Sequence, residues 1–412
     1  MEAKQLSYQE LSYRLPAQFS AVTEMLEQGI VDDVFPGAVL LVGRQGDIIY
    51  ANTVGARSLE EDASSSEMRL DTVFDIASLT QPVVTTTLIM HLLDKGKLKL
   101  TDKVCRYIQT FSVHNKGEVT IEQLLNHTSG LVHWYPYFEE IVELNNSSRM
   151  GLLASSSAKD YVYNIIHRSQ LKYKPGQKQV FSDIGFIILG EIIEVLTGYP
   201  LEKAAQKLLF QPLSMRSTSF IDLSLIKRGT ISANTDVIAP TEQCSWRKKI
   251  LCGEVHDDNA WAMGGVSGHA GCFSNAFDLH NLASHLLAAY FGEDGFVSEK
   301  TVKKFWYPSV PTATPARMFQ DEVMSSRDLK DSRYRYGWEG PHKDNGMNTS
   351  HLSPFAVGHA GFTGCSLWIE PEAGIDIVLL TNRVHPSRSN KKIQNFRPEL
   401  HKAVVEAFSK LS

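Results

Sequence analysis

Hydrophobic positions recur along this chain with two different periods. Near the start, FPGAVLLVGRQGDIIYANTVG (35–55) carries two apolar runs, Ala38–Val42 and Asp47–Ala51, joined by a Gly-containing turn, which is the pattern of a β-hairpin. Near the end, CSLWIEPEAGIDIVLLTN (365–382) repeats the pattern around Pro371-Glu372-Ala373-Gly374. Between them the spacing becomes helical. VVTTTLIMHLLDKGKL (83–98) carries a long apolar stripe and stops at Lys95-Gly96, a basic last turn followed by glycine. TIEQLLNH (120–127), Asp183–Leu196 and Phe277–Phe291, the last behind a Ser274-Asn275 cap signal, predict further helices. AQFSAVTEMLEQGI (17–30) predicts a helix with Ala21, Met25 and Leu26 among its apolar positions, and ELHKAVVEAFSKL (399–411) an amphipathic one. The polar, Ser-rich stretch Leu59–Met68 predicts a surface loop.

Strands at both ends and helices between them imply an α+β chain. Its antiparallel sheet is built from residues 1–75 and 292–412, a mostly helical domain (76–291) is inserted, and a cleft lies between the two. A length of 412 residues fits two or three such units.

Composition narrows the function classes. A net charge of −5, with basic runs no longer than Trp246-Arg247-Lys248-Lys249 and Lys391-Lys392, argues against nucleic-acid binding. No apolar run approaches the roughly 18 residues of a membrane span, and MEAKQLSYQELSYRL has no signal-like apolar core. The five cysteines (105, 244, 252, 272 and 365) are scattered without a C-x-x-C pair, so no disulfide framework or metal site is expected and a reducing, cytoplasmic setting fits. No cofactor is implied. Oligomeric state is not legible.

The chemistry centres on FDIASLTQPVV (74–84), where a strand-like segment, Thr72–Ile76, gives way to a helix at Ser78. A serine there is ordinarily a helix cap. It is also where a nucleophile benefits from the free N–H groups and dipole of a helix N-terminus. Position 81 lies one turn further on the same face, and a neutral lysine there would accept the serine proton.

This stretch resembles the nucleophile segment of the serine β-lactamase and penicillin-binding protein family, whose motifs include S-x-x-K. The closer likeness is to the class C β-lactamase-like branch of esterases, D-peptidases and acyltransferases. FPGAVLLVGRQGDIIYANTVG is similar to that family's opening hairpin, and TIEQLLNHTSGL (120–131) to its L-L-x-H-x-S-G-L signature. KPGQKQVFSDIGFIILGEIIEVLTG (174–198) resembles the segment of the second catalytic motif, Y-x-N or Y-S-D. VGHAGFTGCSLWIEPEAGIDIVLLTNRVHP (357–386) resembles that of the third, K-T-G or H-x-G. The likeness runs from about residue 35 to 410 and implies a β-lactamase/DD-peptidase-like fold with an acyl-enzyme on Ser78. It also implies an oxyanion hole formed by the Ser78 N–H and an N–H of the strand after His359, a pocket including Ser182, Ala360, Gly361 and Phe362, and a small acyl, ester or peptidyl ligand.

Two positions depart from the family at the chemistry itself. Its lysine is Gln81 and its tyrosine is Phe181. An amide does not titrate near pH 7 and phenylalanine has no hydroxyl, so neither side chain can serve as a base. General acid–base catalysis contributes about 10²–10⁴ per group, while an oxyanion hole and binding alone leave roughly 10³–10⁴ over water. The resemblance also places His359 and Asp183 beside Ser78, the ingredients of a Ser–His–Asp relay if His359 lies within hydrogen-bond reach of the serine.

Other candidates read as structural. His269, in the first copy of the tetrapeptide GHAG (268–271), precedes a helix with no strand pair after it, unlike His359 in the second copy (358–361). His256-Asp257-Asp258 has no partner histidine at helical metal spacing, and His127 reads as a hydrogen-bonding residue. Trp134, Tyr135 and Tyr137 read as a substrate-facing wall. Three functions are therefore expected to compete: a slow or rerouted serine esterase or amidase, a pseudoenzyme that binds a ligand in the old pocket, and a structural protein, for which no repeat or coiled coil speaks.

Overall fold

The computed structural model of the chain describes residues 16–60, 67–148, 151–307, 333–342, 349 and 351–411. The N-terminal stretch read above for a signal, and residues 61–66 of the expected Leu59–Met68 loop, lie outside the described residues. An antiparallel seven-stranded sheet organises the molecule. Its strands are β1 (Gly37–Arg44), β2 (Asp47–Gly55), β3 (Tyr334–Arg335), β4 (Trp338–Glu339), β5 (Val357–Ala360), β6 (Ser366–Glu370) and β7 (Ile375–Thr381), in the order β2-β1-β7-β6-β5-β4-β3. The pairing of β1 with β7, Ala38 opposite Thr381 through Arg44 opposite Ile375, joins the two ends of the sequence.

Both hairpins form where expected, and the first runs longer than its apolar runs alone suggest. The first closes through Gln45 and Gly46, both at positive φ (50° and 88°), the backbone required by a two-residue turn matched to strand twist. β1 is apolar at nearly every position because both its faces are covered. Ala38, Leu40 and Val42 pack with Phe19, Val22, Leu26 and the C-terminal helix Ile393–Ser409, while Val39 and Leu41 pack toward the helical remainder. The N-terminal helix spans Ser20–Val31; Val22, Leu26 and Gly29 are its buried positions, Met25 is half-buried, and the expected Ala21 faces solvent. The helix Ala276–Tyr290, capped by Asn275, also lies on the sheet, where His280 pairs with Asp376 of β7 at 2.9 Å.

The segment after Ser78 is not one regular helix. A 3₁₀ turn, Ala77–Leu79, leads into a wide π-helical stretch, Gln81–Thr86, and only then into the α-helix Thr87–Asp94. Such π stretches are rare and concentrate at functional sites. The strand expected over Thr72–Ile76 contracts to Phe74–Asp75, paired with a short strand, Cys272–Ser274. Among the described residues no single helix is long and apolar enough to cross a membrane.

Candidate active site

Ser78 is fixed from three sides. Asp75, fully buried, accepts hydrogen bonds from the Ala77 N–H (2.9 Å) and the His256 N–H (2.6 Å), and the Ile76 N–H donates to Cys272 O at 3.1 Å. Gly361 closes the third side: a Cβ there would stand 2.4 Å from Ile76 O and 3.4 Å from the Ala77 Cβ, so only glycine lets β5 approach the turn. Ala77 is held at φ 49°, a left-handed conformation that costs a non-glycine residue about 1–2 kcal/mol. Strain of this kind persists where the surroundings over-determine it, as they do here. From Thr72 to Met90 every residue is buried except Ser78, which remains accessible.

Gln81, fully buried, spends its amide on a distant partner. Its Nε2 donates to Asp183 Oδ1 at 2.9 Å, across 102 residues of sequence, and its Oε1 is buried without a hydrogen bond among the described residues. Asp183 opens the helix Asp183–Thr197. Burial pushes its carboxyl up to about 6, against the weaker pull of His269. No described side chain bonds the Ser78 hydroxyl, so the residue at the lysine position points its donor away from the serine.

The residues before Asp183 are positioned by the loop after TIEQLLNH. That helix, Ile121–Leu125, forms with Thr120 and Gln123 in a reciprocal capping box. Buried His127 accepts from the Ser182 N–H at 3.0 Å; burial drives its imidazole down to about 3, so it is neutral and structural, as the sequence suggested. Ser182 donates its hydroxyl to Val132 O (2.7 Å) and caps the helix by accepting from the Gly185 N–H (3.4 Å). Its polar atoms are therefore committed to the fold and not to the pocket. Phe181 sits in an aromatic cage, with ring centroids 4.7 Å from His127, 5.9 Å from Tyr334 and 6.2 Å from His359. Tyr334 was not singled out by sequence; it lies in the aromatic-rich RYRYGW, far from every motif. Of the expected wall, Trp134 and Tyr135 are exposed, but Tyr137 is 2% exposed and belongs to the core.

On the opposite side, His359 of β5 is buried, and its Nδ1 lies 3.0 Å from Ala360 O. A carbonyl only accepts, so Nδ1 carries the proton and Nε2 holds a bare lone pair; Nε2 is buried with no partner among the described residues. Burial lowers this imidazole's affinity for a second proton. The two hydrogen bonds of a Ser–His–Asp relay are not formed, since Asp183 is bonded to Gln81 and His359 to Ala360 O. The Gly361 N–H is spent on Cys365 O (2.8 Å), leaving the N–H of exposed Phe362 without a partner among the described residues.

The first GHAG lies behind Asp183. The short strand Cys272–Ser274 follows it directly, pairs on both sides, and leads into the helix Ala276–Tyr290 rather than into a second strand. His269 Nε2 is 3.0 Å from Asp257 Oδ1 and its Nδ1 is 2.8 Å from Ser267 Oγ. Burial opposes charge on His269, yet Asp257 and nearby Asp183 outweigh it and raise the imidazole above its usual value. Burial likewise works against the Asp257 carboxylate, but His269 holds it down at about 2. His256 and Asp258 are taken up by Glu242, Arg247 and Arg388.

Comparison with known proteins agrees with this architecture. The chain belongs to the Beta-lactamase family, whose model matches residues 22–397. It is 31% identical to the N-acetylmuramyl-L-alanine amidase of Bacillus subtilis (strain 168), over 90% of this chain and 83% of that protein. It is 29% identical to the putative D-alanyl-D-alanine carboxypeptidase of Escherichia coli (strain K12), over 86% of this chain and 80% of that one. Among solved structures, EstCE1, a hydrolase with promiscuous acyltransferase activity, superposes with a TM-score of 0.66 at 21% identity, over 92% of this chain and 98% of its own.

Proposed function

We propose that this protein is a degenerate serine hydrolase of esterase or amidase type, closest in kind to the class C-like branch, in which Ser78 takes up an acyl group slowly. The observation that carries this reading is the Gln81–Asp183 hydrogen bond at 2.9 Å: the residue beside the nucleophile serves Asp183 and offers the serine no base. The two positions departing from the family, Gln81 and Phe181, have no proton to exchange. Oxyanion donors remain at the N–H groups of Ser78 and Phe362, and His359 Nε2 is the remaining base candidate, with a backbone carbonyl rather than a carboxylate behind its ring. The ligand enters between the sheet-bearing part (1–75 and 292–412) and the helical part (76–291). The scattered thiols, all unpaired, suit a reducing compartment such as the cytoplasm.

Intact-protein mass after exposure to a fluorophosphonate, beside a Ser78→Ala control, tests this proposal. Slow formation of a single adduct, absent in the control, is expected. Complete labelling within seconds would contradict a serine without its base. No adduct after hours would favour the second reading, a pseudoenzyme that binds a small acyl or peptidyl ligand in the same cleft. The buried acceptors of Gln81 and His359, unpartnered among the described residues, speak for that reading.

A further inference from the structure

Phe362 is a large apolar residue left 50% exposed, yet its backbone and its ring are both pinned. Arg383 Nε and Nη2 donate together to its carbonyl oxygen, at 2.9 and 2.5 Å, and the same guanidinium lies 4.5 Å from the ring centroid. His256 stacks on the ring at 5.5 Å and 23°. The two supports are themselves joined. Arg383 Nη1 donates to Arg388 O (3.0 Å), Arg388 Nε donates to Glu242 Oε2 (2.5 Å), and that oxygen lies 3.1 Å from His256 Nε2. Three contacts tie this assembly to the nucleophile turn. Gly361 lies against Ile76 O, Thr363 Oγ1 donates to Asp75 O at 2.7 Å, and the His256 N–H donates to the Asp75 carboxylate that also holds Ala77. An exposed side chain ordinarily keeps its rotamer freedom. Here the fold has already removed much of it, so a ligand packing on this ring meets little ordering cost. The ring hangs from the Cα beside the Phe362 N–H, about 1.5 Å along the chain. A ligand oxygen accepted by that N–H therefore stands next to the ring.

We infer that the exposed Phe362 ring is a specificity-determining surface of the Ser78 site, which favours acyl groups carrying an aromatic ring over short alkyl ones. This rests on the reading of the Ser78 cleft and the Phe362 N–H given above. Offset or edge-to-face packing of two rings favours an aromatic group beyond its apolar area alone.

Two fluorophosphonates that differ only in a phenylethyl or a methyl group on phosphorus test this by intact-protein mass. In each, the bond from Ser78 oxygen to phosphorus forms as P–F breaks, and the hydroxyl proton leaves with fluoride. The parent is expected to label at least about ten-fold faster with the phenylethyl probe. Phe362→Ala is expected to cut that ratio below about three-fold, while Phe362→Tyr keeps the ring and the preference. The ratio is the readout, so a loss of reactivity common to both probes cancels. If neither probe labels the parent, the acylation reading fails and binding decides. Saturation-transfer NMR of 3-phenylpropanamide is then expected to give a signal with Ser78→Ala and none with Ser78→Ala/Phe362→Ala. Equal labelling by the two probes, a preference that survives Phe362→Ala or is lost equally in Phe362→Tyr, or an amide signal that is absent or indifferent to Phe362→Ala would each overturn it.

Discussion

The tetrapeptide GHAG occurs twice, and its two histidines have opposite chemistry. His269 is hydrogen-bonded through both nitrogens, to Asp257 and Ser267, and is raised in proton affinity. His359, equally buried, has among the described residues only the carbonyl of its own neighbour as hydrogen-bond partner and is lowered. The glycines differ as well. Gly268 lets its loop approach the Asp183 helix, with a would-be Cβ 2.1 Å from Phe186 O, whereas Gly361 lets β5 approach the nucleophile turn. Identical local sequence thus yields one hydrogen-bonded clamp and one acceptor that is unpaired among the described residues. The deciding factor is whether a carboxylate stands within hydrogen-bond distance, and nothing in the four residues encodes that.

The largest stability effect should come from the clamp. His269→Gln strands Asp257 and removes the imidazole beside Asp183, so a loss of about 3 kcal/mol is expected from the shift in urea midpoint. A loss below 1 kcal/mol would show that the two histidines are not energetically distinct.

Asp183→Asn should act in the opposite direction. The folded chain ionises this carboxyl near pH 6 rather than near 4, with His269, Asp257 and His133 facing it. The group's contribution is therefore fully present below about pH 4 and lost as pH rises through 6. Removing the charge should stabilise the protein by about 1–2 kcal/mol at pH 7.5 and leave it unchanged at pH 4, as read from denaturation curves at the two pH values. A gain that persists at pH 4 would sever the effect from ionisation.

The smallest change is expected for His359→Gln, within about 1 kcal/mol of the parent by the same denaturation assay, because it breaks no ion pair.

Much of this was legible in the sequence, and the exceptions have physical causes. Both hairpins and the Asn275 cap follow from local pattern, because they depend on residues a few positions apart. The Gln81–Asp183 bond spans 102 residues, and no spacing rule reaches it. The π-helical stretch Gln81–Thr86 escaped because its apolar stripe is compatible with a regular helix as well. The family resemblance implies a pocket place for Ser182, yet its hydroxyl caps a helix. Cys272–Ser274 is too short to register as a strand, so the placement of the first GHAG behind Asp183 appears only when that strand pairs with Phe74–Asp75.

The central claim is that Ser78 keeps its setting and lacks its base. Adding a lysine alone would not test it well, because Asp183 would hold the new ammonium charged. The decisive measurement is hydrolysis of a p-nitrophenyl ester by the parent chain and by Gln81→Lys/Phe181→Tyr/Asp183→Asn. The account predicts a rise of about 10²–10⁴ in kcat/KM for the triple variant. A parent that already turns over as fast as the triple variant would contradict it.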